Sequence, residues 1–392
     1  MNTNQKYFID ILSSHLNNTA TPVMENVDWN TIYELANLHN VTGIVAIQIK
    51  KLPASQRPEK ELLSKFNQVL GYSVQNYEKK ISGYTILTET LCEQKIPHLV
   101  LKGAAIRDLF PVKELRTSGD TDIVTCNLDV CTDLLTQKGF IVNQKDMVQH
   151  ELSYDKQIYE IKNYIDHVMN KSESVFTKLF DNNECYTENG YTYYLKPEFH
   201  VAYIIAHLFA HIKSGGAGVR QLMDVDVLFR SYQIDLNKVF DICKEVKCLK
   251  CAKYVLSLCK QFFNTPVNFD YNIDSEIYSL LTETIFNGGV FGYGNGDKGT
   301  ERLITTMRKT NNNSLLSSLK ALLSVFIIDK SLLYNAYKYS AKCHLLLPVA
   351  YFHRLFKAIF IRTKLSVTKI KSIFTTRDTA LKIGTLINKI ED

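Results

Sequence analysis

The stretch that most constrains the fold runs from His98 to Thr125, HLVLKGAAIRDLFPVKELRTSGDTDIVT. His98-Leu99-Val100-Leu101 is short, apolar and partly β-branched, and it stops at Lys102-Gly103, so it reads as a strand ending in a turn. Ala104 to Phe110 suit a helix, which Pro111 stops. Thr121-Asp122-Ile123-Val124 then alternates as a strand does. Residues i and i+2 of a strand share a face, so Asp120 and Asp122 project side by side and Thr121 points the other way. Two adjacent like charges are costly without a cation between them. Hard divalent cations take oxygen ligands and share one or two protein carboxylates with substrate phosphates. An Asp-x-Asp beside a Gly turn therefore suits a metal and a phosphate together. Taken alone, the same pattern also describes a solvated strand end.

The 392 residues are enough for two or three domains. Apolar content of 45% with 22% charged residues is that of a folded chain, and Gly and Pro are too sparse for long disordered linkers. The net charge of +6 hides an asymmetry: residues 301–392 hold 16 Lys+Arg against 5 Asp+Glu, leaving a slightly acidic remainder. Nine cysteines, an odd number, lie scattered through apolar helical patterns, and MNTNQKYFID has no apolar leader core. Both point to free thiols in a reducing cytosol. No apolar run reaches the length of a membrane span; 344–361 is broken by Pro348, Arg354 and Lys357.

Residues 1–93 read as all-helical. Asp28-Trp29-Asn30 caps a helix over Thr31 to Asn37, Val41 to Ile49 follows, and Glu59 to Glu93 carries apolar residues at spacings of three and four. This region reads as a scaffold without chemistry of its own. Residues 94–195 read as a mixed α/β core. Leu128 to Gln137 is a helix ended by Lys138-Gly139, Phe140 to Val142 is a strand, and His150 to Tyr154 with Gln157 to Tyr164 forms a hairpin. In its second arm Ile158, Glu160 and Lys162 share a face, so Glu160 can join the two aspartates in one site; Asp166, nearer the strand end, competes for that role. Residues 196–300 read as helical, with Pro197 at a first helical position, a Gly-rich loop over Lys213 to Gly218, and Arg220, Asp224 and Asp226 on the next helix. Leu236 to Phe263 continues as helices, and Asn287 to Gly299 reads as an exposed loop. Residues 301–392 form a basic helical region with Asn311-Asn312-Asn313 as its hinge.

Several side chains carry competing readings. His207 and His211 lie one helical turn apart, as metal-binding histidines do, but no Glu follows His207 and no further ligand completes a site. They fit better as polar groups between helices and sheet, bonded to Asp224 or touching a nucleotide. Cys248-x-x-Cys251, with Cys243 and Cys259, continues an apolar helical pattern and reads as buried thiols rather than a zinc ribbon. Lys102 and Arg116 flank the aspartates and can balance phosphate charge, or can be plain surface residues. Lys338 to Arg377 holds nine Lys/Arg and no Asp or Glu, with interleaved aromatics. It reads first as a solvated bundle face, then as a surface for anionic membrane, and less readily for nucleic acid.

The order Leu101-Lys102-Gly103-Ala104-Ala105, then Leu115-Arg116-x-x-Gly119-Asp120-x-Asp122-Ile123, resembles a family of bacterial nucleotidyltransferase-like proteins. Glu160 on a following strand and His207-x3-His211 followed by Arg220-Gln221-Leu222-Met223-Asp224 extend the resemblance, which covers Lys95 to Arg230. Such proteins are an uncharacterised subgroup of the polymerase-β-like nucleotidyltransferase superfamily. The resemblance implies an α+β fold: a small mixed β-sheet core flanked by N-terminal helices and a mostly helical C-terminal part. It implies that Asp120, Asp122 and Glu160 are the catalytic acids and hold two Mg²⁺ (or Mn²⁺). It places Lys102, Gly103, Arg116, Gly119, His207, His211, Arg220 and Asp224 around a nucleoside triphosphate such as ATP. The implied reaction moves a nucleoside monophosphate to an unidentified acceptor: a protein hydroxyl, a sugar or lipid-linked intermediate, or a nucleic-acid end. One residue departs from the superfamily pattern, because Gly103 is followed by Ala104 where many members have Ser. That departure motivates the alternative of a catalytically weak nucleotide-binding or membrane-surface module, in the cytoplasm or at the inner face of its membrane.

Overall fold

Caps and apolar spacing set the first four helices. In the computed structural model, which describes residues 1–165, 183–290, 292, 333, 337–342, 344–357, 379 and 381–391, α1 (Thr3–Leu16), α2 (Trp29–Leu38), α3 (Thr42–Lys51) and α4 (Lys60–Glu93) precede the first strand. The Asn2 side chain accepts from the Gln5 amide while the Gln5 side chain accepts from the Asn2 amide, a reciprocal cap that opens α1. Asp28 caps α2, accepting from both the amide and the hydroxyl of Thr31. The expected all-helical character of this region is what the chain adopts, with α1 as an additional helix.

Helix α4 is about 50 Å long at 1.5 Å per residue. Phe66, Ser73, Lys80 and Leu87 are buried along it at intervals of seven, so they form one stripe. The stripe changes partners along its length. Phe66 packs edge-on against the rings of Trp29 and Tyr33, at 6.4 and 4.9 Å between centroids. Leu87, with Leu91, enters the core beneath the sheet. Ser73 and Lys80 occupy the middle, where the stripe is polar.

The sheet follows. Strand β1 (His98–Val100) leads into α5 (Lys102–Ile106), two 3-10 turns and β2 (Asp120–Thr125); then come α6 (Leu128–Gln137), β3 (Ile141–Lys145), β4 (Gln149–Tyr154), β5 (Gln157–Lys162), β6 (Cys185–Thr187) and β7 (Thr192–Leu195). The expected turn at Lys102-Gly103 is already the first turn of α5, and the helix expected to run to Phe110 tightens at Arg107. There the Arg107 side chain takes the Ala104 carbonyl that regular helix would use. Seven strands pair in the order β3-β4-β5-β2-β1-β7-β6. The sheet is mixed, because β2 runs antiparallel to β1 and parallel to β5, and β7 runs parallel to β1. Asp155 and Lys156, both left-handed, make the tight β4–β5 turn.

Strand alternation sorts the side chains. Ile123, Tyr159 and Ile161 point into a core with Leu87 and Leu91 of α4 and Leu128, Cys131 and Leu135 of α6. Asp120, Asp122, Glu160 and Lys162 lie on the other face.

The chain divides into two compact units. The first comprises 1–210, 218–274 and 390–392, and adds to the sheet the body of α7 (Pro197–Ser214), α8 (Val219–Ser231), α9 (Leu236–Glu245) and α10 (Leu249–Phe263). Every residue of α8 from Val219 to Phe229 is buried, so its charged side chains need partners. Asp226 finds them in a two-pronged bond from Arg230 and in the Thr265 hydroxyl. Cys243, Cys248, Cys251 and Cys259 are all buried thiols. The second unit holds 211–217 and 275–389. Within it α11 (Ser275–Gly288) is tied to the helix over 381–390 by Lys382–Glu283 (2.6 Å) and Lys389–Glu276. Here too lie α12 (Lys338–Lys342) and α13 (Leu347–Phe356). Asp166, most of the loop expected over 287–299, the hinge at 311–313 and much of 338–377 lie outside the described residues.

Gly83 gives a test of this packing. A Cβ there would lie 2.8 Å from Tyr159 Cζ, and Tyr159 is fully buried with its hydroxyl donating to the Lys80 carbonyl at 3.0 Å. Replacing a mid-helix Gly by Ala gains up to about 1 kcal/mol of propensity, whereas overpacking costs about 1–3 kcal/mol. The steric effect wins where the neighbour cannot move. Gly83→Ala is therefore expected to lower stability by about 1–2 kcal/mol in urea denaturation; a raised midpoint would contradict this packing.

Candidate active site

Asp120 and Asp122 leave β2 on one face, and the parallel register sets Glu160 of β5 directly beside Asp122. Oxygens of the three carboxylates lie within 4.8 Å of one another, and no other such metal-ligating cluster occurs among the described residues. Asp120 and Glu160 are partly exposed, but Asp122 is only 2% exposed. Burying a carboxylate costs several kcal/mol unless cations and donors surround it. Here two ammonium groups do so: Lys102 Nζ lies 3.1 Å and Lys162 Nζ 2.7 Å from Asp122 Oδ1. Lys162 also lies 2.7 Å from Glu160 Oε2. Burial alone would raise the Asp122 carboxyl, but Lys102 and Lys162 outweigh it and hold it at about 2. This pairing stabilises the fold above the ordinary carboxylate value near pH 4, and the stabilisation is lost as pH falls toward 2. Burial also raises the Glu160 carboxyl, and the charges of Asp122 and Asp120 add to that while Lys162 opposes it. Lys102 reaches Asp122 from a left-handed backbone, φ +50°, which costs a non-glycine residue about 1 kcal/mol.

The loop before Asp120 is clamped from three sides. Arg116 forks onto Asp224 of α8, with Nε–Oδ1 at 2.7 Å and Nη2–Oδ2 at 2.6 Å, and also donates to the Thr117 carbonyl. A Cβ at Gly103 would lie 2.8 Å from Arg116 Nη1, so only glycine lets this guanidinium pass. Thr117 Oγ1 donates to the Asn40 carbonyl at 2.8 Å and accepts from Arg220 Nη1 at 3.2 Å. Lys80 of α4 donates to the Ser118 carbonyl and hydroxyl at 2.8 and 3.1 Å.

The same loop walls a cavity of about 450 Å³. Lys80, Arg107, Arg116 and Lys156 line it, against the single acid Glu114. Burial lowers the Lys80 ammonium to about 8; Asp120 opposes this, while Arg107, Arg116 and Arg220 lower it further. Burial and the charge of Arg116 likewise bring Arg220 down to about 9. Arg107 Nη2 and Arg220 Nε are buried and find no acceptor among the described residues. Each such donor costs about 1–3 kcal/mol while it stays unpaired. A cavity lined by four cations against one acid suits an anion.

Lys102 thus meets Asp122, while Gly103, Arg116, Arg220 and Asp224 come together at the loop that precedes Asp120. Gly119 is exposed between Ser118 and Asp120. Asp224 is taken by Arg116 rather than by a histidine. His207 is half-buried and stacked on Tyr203 at 6.2 Å, and His211 belongs to the second unit. Three participants are absent from the expected set. Lys162 was legible as a neighbour on the Glu160 face, and Lys80 as a charge on the buried stripe of α4. Arg107 carried no signal beyond lying inside the expected helix.

The Arg116–Asp224 pair is a buried ion pair, and removing either partner leaves an uncompensated charge, a loss of about 3–5 kcal/mol. Arg116→Ala and Asp224→Ala are each expected to destabilise on that scale in chemical denaturation. The double variant should lose clearly less than the sum of the two. Additive losses would show that the pair is not coupled.

No curated protein and no solved structure matches the chain. A family model described as uncharacterised nucleotidyltransferase matches residues 25–264, more than half of the chain. That span contains α2 to α10 and every acid and cation of the site, and the chain belongs to the uncharacterised nucleotidyltransferase family.

Proposed function

We propose that the protein is a Mg²⁺- or Mn²⁺-dependent nucleotidyltransferase that moves a nucleoside monophosphate from an NTP to an acceptor oxygen. The observation that carries this reading is the adjoining of two opposite fields. A three-carboxylate cluster lies beside a cation-lined cavity, and Thr117 and Ser118, which wall the cavity, lead directly into Asp120. Three oxygen donors within reach of one another fit a hard divalent cation. Asp120, Asp122 and Glu160 would hold it, and when bound it supplies charge stabilisation at the phosphoryl oxygens.

The chain's own residues account for the rest. Lys80, Arg107 and Arg116 seat the β- and γ-phosphates, with Lys102 at the turn where the superfamily often has a serine hydroxyl. The acceptor oxygen bonds to the α-phosphorus as the bond to the β-phosphate oxygen breaks. Pyrophosphate leaves with that electron pair, and the cavity cations neutralise it. The acceptor proton passes to the partly exposed carboxylates or to solvent. The acceptor is a protein hydroxyl, a sugar or a lipid-linked intermediate.

Labelled NTPs with Mg²⁺ or Mn²⁺ and a panel of acceptors test this. Asp120→Ala and Glu160→Gln are expected to reduce transfer by at least about 100-fold. Lys80→Met and Arg107→Met should mainly weaken NTP binding, by about 10-fold or more. Transfer that survives loss of both aspartates would sink the reading. NTP binding without transfer under any condition would favour the nucleotide-binding module, which Ala104 motivates.

No described helix is long and apolar enough to cross a membrane. In the second unit Val349, Phe352 and Phe356 are exposed at helical spacing on α13, with Arg354 and Lys357 nearby. This face suits peripheral contact with anionic lipid at the cytoplasmic leaflet. Phe352→Glu with Phe356→Glu is expected to abolish flotation with phosphatidylserine vesicles; equal recovery would remove the membrane contact.

A further inference from the structure

Lys162 stands where a metal ion would be expected. A two-metal transfer site sets its ions about 3.5–4 Å apart, with the paired aspartates and the third acid shared between them. An ion at the Asp122–Glu160 edge would compete with Lys162 for Asp122 Oδ1 and Glu160 Oε2. Both oxygens face Lys162 Nζ at 2.7 Å, the length of a charge-assisted hydrogen bond. Mg²⁺ bonds oxygen at about 2.0–2.1 Å, so ion and ammonium cannot occupy the same position between those two oxygens. The Lys162 side chain is only 5% exposed, and its strand is paired on both sides, with β4 and β2, which fixes the backbone from which it reaches the acids.

Asp120 forms no ion pair among the described residues, which leaves its oxygens to a divalent ion.

We infer that Lys162 is a resident cation replacing one of two metal ions, and that the site takes a single divalent ion, held on the Asp120 side. This departs from the two-metal expectation and rests on the nucleotidyltransferase reading of the triad.

Mn²⁺ binding to the full chain decides it, measured by electron paramagnetic resonance alone and with α,β-methylene analogues of the four NTPs. The expected result is saturation at one Mn²⁺ per chain with the six-line spectrum of an isolated ion. Lys162→Met should admit a second ion and give the spectrum of an exchange-coupled pair. Two Mn²⁺ on the unmodified chain would overturn the inference while leaving the triad as a metal site. One Mn²⁺ on both proteins would overturn the role of Lys162. No Mn²⁺ on either would remove the metal reading itself, a separable failure. Should Lys162→Met not fold, the stoichiometry and spectrum of the unmodified chain decide alone.

Discussion

The carboxylate of Asp122 is the constraint on which the rest of the site depends. It is almost wholly buried, and such a charge persists only when opposite charge is built around it. Its two partners come from different elements, Lys102 from the start of α5 and Lys162 from the end of β5. Strand order makes this possible: β2 lies between β1, which delivers Lys102, and β5, which delivers Glu160 and Lys162. The left-handed backbone of Lys102 is a local cost that the ion pair offsets.

The cations of the neighbouring cavity follow the same logic in reverse. Lys80, Arg107 and Arg220 lie in a buried setting near Arg116, where desolvation and the neighbouring positive charges oppose the ionisation of these three. Asp224 pairs with Arg116 and fixes its fork, and Asp120 beyond Ser118 relieves Lys80. The remaining imbalance is a positive field with unused donors, which suits an anion and is not an optimum of stability. Helix α4 is part of this site. Its stripe packs aromatic rings at one end and the sheet core at the other, and it gives up apolar contact in the middle to present Lys80.

Much of this was legible in the chain. Local rules placed β2, α6 and the β4–β5 hairpin close to their observed bounds, because alternation, caps and a Gly after a helix act over a few residues. Asp120 and Asp122 had to share a face for the same reason. Alternation in the hairpin's second arm brought in Glu160, and the motif order brought in Arg220 and Asp224. Strands β6 and β7 escaped because they are short, and β7 is defined by a parallel partner far away in the chain.

Sequence by itself determined which residues carry the charge and which strand faces they occupy, since side-chain period is a property of the local backbone. Only the tertiary structure decided how those charges are paired. Asp224 goes to Arg116 across 108 residues, Lys162 goes to Asp122 across 40, and Lys80 reaches Ser118 from a helix that read as scaffold. Pairing depends on strand order and helix packing, and a buried charge takes whichever opposite charge the fold carries to it.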